Sequence, residues 1–210
     1  MSVAVESAQA FRAVVVQGAR QVGKSTLVEM IAAEVGAEVV SLDREENLNA
    51  ALDDPNYFLD QLGQPAVIDE VQRGGDRLVL ALKRQLDQTR RPGRYILTGS
   101  SNFLTLPTLS ESLAGRIDIV TLWPLSLGEI TAGRDDFIDR AYAAPADLTG
   151  HRGPTPERAD YVEMLCRGGY PEVQRLNAVQ RHRWFERYVE TVLRREVETG
   201  LPQPLTGVTE

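Results

Sequence analysis

Cysteine is almost absent from this 210-residue chain: Cys166 stands alone. No internal disulfide can form, and the chain suits a reducing compartment, with the cytoplasm as the default expectation. Histidine is nearly as scarce. His151 and His182 lie far apart with no cysteine at ligand spacing, which argues against a zinc site. Cys166 itself has no evident histidine partner and reads as a small core residue. Nowhere do about 18 consecutive apolar residues occur, and Met1 to Ala10 has neither a basic region nor an apolar run, so no membrane span and no export signal are expected. An excess of positive charge is missing too. The 23 Lys and Arg against 30 Asp and Glu leave a net charge of −7. That gives nucleic-acid binding no support, although a local basic stripe could sit inside an acidic total. What remains, 42% hydrophobic and 25% charged, is the composition of a globular protein with room for one α/β domain and a small satellite.

The order of patterns along the chain predicts that α/β domain. Arg12 to Gln17 carries an A-V-V-V run suited to a strand buried on both faces, and Gly18 breaks it. From Ser25 to Val35 the apolar residues fall at helical spacing, and Gly36 supplies a stop. Further strands are expected at Glu38 to Leu42, Pro65 to Ile68, Arg94 to Leu97 and Ile117 to Leu122. Helices are expected around Tyr57 to Leu62, over Leu78 to Leu86 and around Leu109 to Leu113. Strands and helices in alternation imply right-handed crossovers and a parallel sheet. After Trp123-Pro124 the pattern changes. Asp135 to Pro156 reads as a loop or linker, helices return at Asp160 to Arg167 and Val179 to Val197, and the last residues read as a tail. The expected division is therefore 1–125, 126–198 and 199–210.

Gly18-Ala19-Arg20-Gln21-Val22-Gly23-Lys24-Ser25 satisfies the pattern G-x-x-x-x-G-K-S/T between a strand and a helix, the context in which the pattern has mechanical meaning. Its glycines let backbone N–H groups turn inward onto phosphate oxygens. Lys24 brings a full charge to the β- and γ-phosphates, Ser25 a hydroxyl for Mg²⁺, and the helix that continues through Thr26 its positive end. The expected ligands are ATP or ADP with Mg²⁺. A glycine-rich turn without function is the plainer reading, but a chance match arises in only about one in a hundred chains of this size.

P-A-V-I-D-E sets Asp69 and Glu70 at the carboxyl end of a buried strand, where open α/β sheets bind ligands. Asp69 is a candidate for holding the metal and Glu70 for orienting and deprotonating an attacking water. Asp-Glu could also simply end the strand and cap the next turn. T-G-S-S-N, Thr98 to Asn102, follows another buried strand, so Ser100 or Thr98 could reach the water or the γ-phosphate; an ordinary Gly/Ser turn is the alternative. Arg116, in S-L-A-G-R, ends a helix, a place that suits a cation whatever the function. It could instead reach the γ-phosphate of its own or a neighbouring copy's nucleotide. The arginine-rich stretch from Arg181 to Arg195 alternates with glutamates and aromatics and reads as a solvated amphipathic helix rather than a DNA-contacting face.

Taken together, G-A-R-Q-V-G-K-S-T, S-L-D, D-E-V-Q-R, L-T-G-S-S-N-F, S-L-A-G-R, P-L-S-L-G-E-I and G-G-Y-P-E resemble the bacterial and archaeal AAA-type ATPases with a D-E-V-Q-R signature. The resemblance runs from about Phe11 to Arg195. It implies an AAA+ P-loop core with a central five-stranded parallel sheet, followed by a small helical, winged-helix-like region. It also implies Walker A roles for Lys24 and Ser25, Walker B roles for Asp69 and Glu70, a first-sensor place near Ser100, and a candidate arginine finger at Arg116. Members of that family continue into a C-terminal domain where this chain ends. Three activities are carried forward from the residues: an ATPase coupled to an unknown protein client, a nucleotide switch with little turnover, and a small-molecule kinase, for which no acceptor site is visible. The oligomeric state stays open, homo-oligomers included.

Overall fold

The computed structural model describes residues 2–100, 113, 115–131, 133, 137–146 and 157–200. Of the helix expected around Leu109 to Leu113 only Leu113 falls within these, and His151, Asn102 and the tail from 201 onward lie outside them. The chain divides into two compact units, Met1–Pro124 and Leu125–Glu210.

The first unit runs α1 (Ser2–Ala10), β1 (Ala13–Gly18), α2 (Lys24–Val35), β2 (Glu38–Ser41), α3 (Glu45–Asp53), α4 (Pro55–Gln61), β3 (Ala66–Asp69), a 3₁₀ turn (Val71–Gly74), α5 (Gly75–Gln88), β4 (Tyr95–Ser100) and β5 (Ile117–Thr121). The five strands form one parallel sheet in the order β2-β3-β4-β1-β5. This is an α/β P-loop fold.

Strand alternation divides the core. Ala13, Val15, Ala66, Ile68, Tyr95 and Leu97 face a cluster completed by α3, α4 and α5, where Ala51, Leu59, Leu78, Leu82 and Leu86 are buried. Val16, Val67 and Ile96 face the opposite cluster, covered by Val28, Ile31 and Ala32 of α2 and by Ala4 of α1. With helices on both sides the inner strands must be apolar at every position, which accounts for the A-V-V-V run. α4 starts as its sequence dictates: Asp54 accepts hydrogen bonds from the N–H groups of Asn56 and Tyr57, with Pro55 in the first turn.

The order of strands positions the chemistry. In β1, Gly18 lies in register with Ser100 of β4, and β3, which ends at Asp69, pairs with β4 on its other side. All parallel strands end on the same side, so the phosphate-loop sequence, the acidic pair and the T-G-S stretch converge on one rim.

Four helices depart from the sequence expectation. α1, α3 and α6 (Leu127–Ile130) occupy segments given no element, and α7 (Phe137–Ala143) lies inside the stretch read as a linker. α3 carries Leu48, Ala50, Ala51 and Leu52 but buries only Ala51 fully, so it is a short helix with little of its surface in the core.

In the second unit the described elements are all helical: α6 (Leu127–Ile130), α7, α8 (Arg158–Arg167), a 3₁₀ turn (Glu172–Arg175) and α9 (Ala178–Gly200). α6 opens with a reciprocal capping box between Ser126 and Glu129. Tyr170, in G-G-Y-P-E, packs on Trp184, Phe185 and Tyr188 of α9 with ring centroids 5.3, 6.3 and 5.1 Å away. Arg181 is only 6% exposed and donates to Glu163 of α8 at 2.7 Å, so α9 is not solvated all round. The hydrogen bond from Arg181, seconded by Arg167, holds the Glu163 carboxyl below the usual range. Cys166, expected in the core, is exposed on α8.

Candidate nucleotide site

The loop after β1 is shaped by three backbone positions. A Cβ on Gly18 would stand 2.4 Å from the carbonyl oxygen of Leu122, so close approach to the end of β5 admits only glycine. Gln21 and Gly23 have positive φ, 60° and 103°. Gly23 is the residue that turns the loop into α2, where free N–H groups and the positive helix end face the same point. Val22 is buried and anchors the loop, while Arg20, Gln21, Ser25 and Thr26 face solvent.

Lys24 is 7% exposed. Its Nζ donates to the carbonyl oxygens of Gly18 at 3.1 Å and Ala19 at 3.0 Å, folding back over the loop. Burial holds its ammonium below the usual lysine range. The negative charges of Glu70 and Asp69 pull it back up, and Arg20 pushes it down. Lys24 therefore shares its electrostatic surroundings with both members of the acidic pair.

Asp69 receives the Ser25 hydroxyl at 3.2 Å on Oδ2 and 3.4 Å on Oδ1. It also accepts from the buried Thr98 hydroxyl. Ser25 and Asp69 thus place two hard oxygen ligands on one point. That suits Mg²⁺, which takes one or two protein ligands and completes its shell with phosphate oxygens and water. Among the described residues no group of three His, Cys, Asp or Glu side chains could hold a metal unaided.

Glu70 takes the left-handed conformation, φ 56° and ψ 42°, rare for a side chain with a Cβ and often associated with function. Its N–H donates to Thr98 Oγ1 at 2.9 Å. Its carboxylate accepts from the Gln72 amide. The structure thus brings Thr98 onto both acidic residues. Ser100 ends β4 two positions on, opposite Gly18, with its side chain outside the described set. Arg116 is not part of this cluster. Its carbonyl accepts from Ala13 N–H, at the entry end of β1. At about 3.3 Å per residue, the five residues from Ala13 to Gly18 set it roughly 16 Å from its own loop. Its guanidinium grips Asp87 at the end of α5, Nε to Oδ1 at 2.6 Å and Nη2 to Oδ2 at 3.2 Å. That hydrogen bond lowers the Asp87 carboxyl below its usual range.

A family model described as an AAA domain matches residues 10–131. The chain belongs to the AAA domain family. This AAA domain is 33% identical over 137 residues to uncharacterized proteins of Mycobacterium tuberculosis and Mycobacterium bovis, a match covering 65% of this chain and 30% of each relative. The chain thus spans under a third of the curated relatives it matches. Among solved structures it is similar to the Walker-type ATPase of Pyrococcus abyssi, with 18% identity, a TM-score of 0.48, and 92% of this chain and 72% of that one covered. It is also similar to RuvB of Thermotoga maritima, described as a Holliday junction branch migration motor, with 23% identity, a TM-score of 0.41, and 70% and 49% covered. In neither unit of the AAA domain chain is any described helix long and apolar enough to cross a membrane.

Sequence reasoning left two participants unresolved. Thr98 is one of two candidates for the polar contact by sequence, and the β3–β4 pairing is what brings its side chain to the acidic pair. Gln72 lay unnoticed within D-E-V-Q-R. A polar residue two positions after a strand-end carboxylate is a weak sign until the turn between them is known.

Proposed function

We propose that the chain binds Mg²⁺·ATP on the loop Gly18 to Ser25 and hydrolyses it to ADP and phosphate. The observation that carries this reading is the meeting of Ser25 and Asp69, hydroxyl to carboxylate at 3.2 Å, beside a buried Lys24 that feels both acidic charges.

On this reading the loop's N–H groups and Lys24 receive the phosphates, with Lys24 exchanging the carbonyl oxygens of Gly18 and Ala19 for phosphate oxygens. Arg20, Gln21, Val22 and Gly23 contribute backbone, and Ser25 and Thr26 lie at the start of α2. Magnesium between Ser25 and Asp69 would withdraw charge from the phosphate oxygens. Glu70 accepts the proton of the attacking water, held in position through its N–H on Thr98. Thr98, with Ser100 beyond it, serves as the polar sensor at the tip of β4. Arg116 serves a neighbouring copy's nucleotide in a homo-oligomer, a reading supported by its distance from its own loop. Residues 1–125 form the nucleotide-binding domain, 126–198 a helical, winged-helix-like lid and 199–210 a tail. The client is a protein not identified by anything in the site.

Steady-state phosphate release tests this. Glu70→Gln should retain Mg²⁺·ATP binding and lose about two or more orders of magnitude in turnover. Turnover equal to wild type would remove Glu70 as the base. A second reading, a nucleotide switch with little turnover in the isolated chain, draws on the same placement of Arg116, far from the loop of its own chain.

A further inference from the structure

Gln72 has no role in the scheme above, yet its side chain is tied to the proposed base. Its Nε2 donates to Glu70 Oε2. The direction is forced, because an ionised carboxylate only accepts, so the amide must turn its nitrogen toward Glu70 and its oxygen away. That oxygen, Oε1, is buried with no hydrogen-bond partner among the described residues. A buried carbonyl oxygen left unpaired is disfavoured, and where one persists a functional partner is a standard reason.

The backbone is arranged to bring the two side chains together. Glu70 turns left-handed, Val71 is fully buried in the core as an anchor, and Arg73 N–H closes the turn on Glu70 O at 3.0 Å. Gly74 ends the turn where a Cβ would meet Leu78 Cδ2 at 2.3 Å, so the turn is wedged against α5. Glu70 and Gln72 therefore meet side by side at the rim shared with Lys24.

We propose that Gln72 is a second water-holding group of this site. Its Nε2 fixes one oxygen of the Glu70 carboxylate, and its Oε1, buried in the nucleotide-free chain, turns on Mg²⁺·ATP binding to accept one hydrogen of the attacking water. The other oxygen of Glu70 takes the remaining hydrogen. The water oxygen bonds to Pγ, the bond from Pγ to the β–γ bridging oxygen breaks with its electron pair leaving on ADP, and the proton ends on Glu70. Gln72 neither gains nor loses a proton. An amide suits the task because it donates and accepts at once, which a carboxylate or an ammonium cannot. The inference rests on the reading of Glu70 as the base.

Two measurements on the full chain test it. In the first, Gln72→Met keeps the length of the side chain and removes both polar groups. Its kcat should fall roughly ten- to hundred-fold while Mg²⁺·ATP affinity stays within about two-fold of wild type. Gln72→Glu should fall as far, since it sets a second negative charge against Glu70. In a Glu70→Gln background the same Gln72→Met change should cost less than about two-fold, because the two groups act on one water. Full kcat in Gln72→Met, or equal losses in both backgrounds, overturns the proposal. In the second, the side-chain amide NMR signal of Gln72, assigned by its loss in Gln72→Met, should move in nucleotide-free Glu70→Ala and again when Mg²⁺·ATP is added to wild type. A signal that moves in neither case overturns it. If wild type releases no phosphate at all, the hydrolysis reading falls separately, and the response of this signal to Mg²⁺·ATP decides the proposal by itself.

Discussion

The hydroxyl of Ser25, at the start of α2, donates to the carboxylate of Asp69, at the end of β3, at 3.2 Å. The loop to Ser25 leaves β1 and Asp69 ends β3, strands separated by β4, so no local pattern joins the two residues; the sheet order does. The same bond closes the place where a cation would sit. Ser25→Ala should therefore leave ATP binding in EDTA unchanged and lose the gain in affinity that Mg²⁺ gives to wild type, about ten-fold or more, as read by titration calorimetry with and without the metal. An undiminished Mg²⁺ effect would exclude Ser25 as a ligand.

Thr98 joins Asp69 to Glu70, donating to one and accepting from the N–H of the other. Thr98→Val keeps the shape and removes both bonds within a buried site. We expect a loss of about 1–3 kcal/mol in folding stability, because the Glu70 N–H loses its acceptor and Asp69 keeps only the Ser25 hydroxyl. We also expect a fall in turnover larger than any fall in nucleotide affinity. Chemical denaturation and steady-state kinetics on the same preparation check both. A variant that loses affinity and turnover in equal measure would indicate a role in binding alone.

Burial lowers the pKa of Lys24 below its ordinary value of 10.5. The sign follows from proton binding. Between the folded and unfolded values the unfolded chain holds more protons, so this group adds stability as pH rises through the folded value toward 10.5. The melting temperature of nucleotide-free wild type, minus that of Lys24→Met, should therefore grow more positive as pH is raised from 7 toward 10. A flat difference would mean that the lysine is not penalised by its burial.

Arg116 is held by Asp87 at the far end of the sheet from the loop of its own chain. Arg116 is half-buried and its partner Asp87 exposed, so Arg116→Ala should lower the melting temperature only modestly while cutting turnover. Mixing Arg116→Ala with Glu70→Gln protein should restore part of the activity, since mixed assemblies contain sites with both groups intact. No recovery at any ratio, with mixed oligomers demonstrated, would rule out action between subunits.

The elements carrying the site were legible because each combines a short buried strand with a turn whose chemistry is local. The A-V-V-V run ending in glycine, the V-I-D-E strand end and the L-T-G-S strand end sit where their patterns predict. What escaped were features decided at a distance. α1 and α3 depend on packing against the sheet rather than on strong amphipathic spacing. Cys166 seemed a core residue by type, but α8 leaves it exposed. Arg181 seemed one more solvated cation until its partner Glu163 on another helix was known. The contact between Gln72 and Glu70 requires a left-handed residue with a side chain, a conformation that sequence preference argues against.

The most direct test of the central claim is a titration of Mg²⁺·ATP into wild type and into Lys24→Ala, each shown to be folded. One nucleotide bound per wild-type chain, with tight binding abolished in Lys24→Ala, is the predicted result. Equal affinity in the two proteins would mean that the nucleotide does not lie on this loop, and the assignment of the whole site would be contradicted.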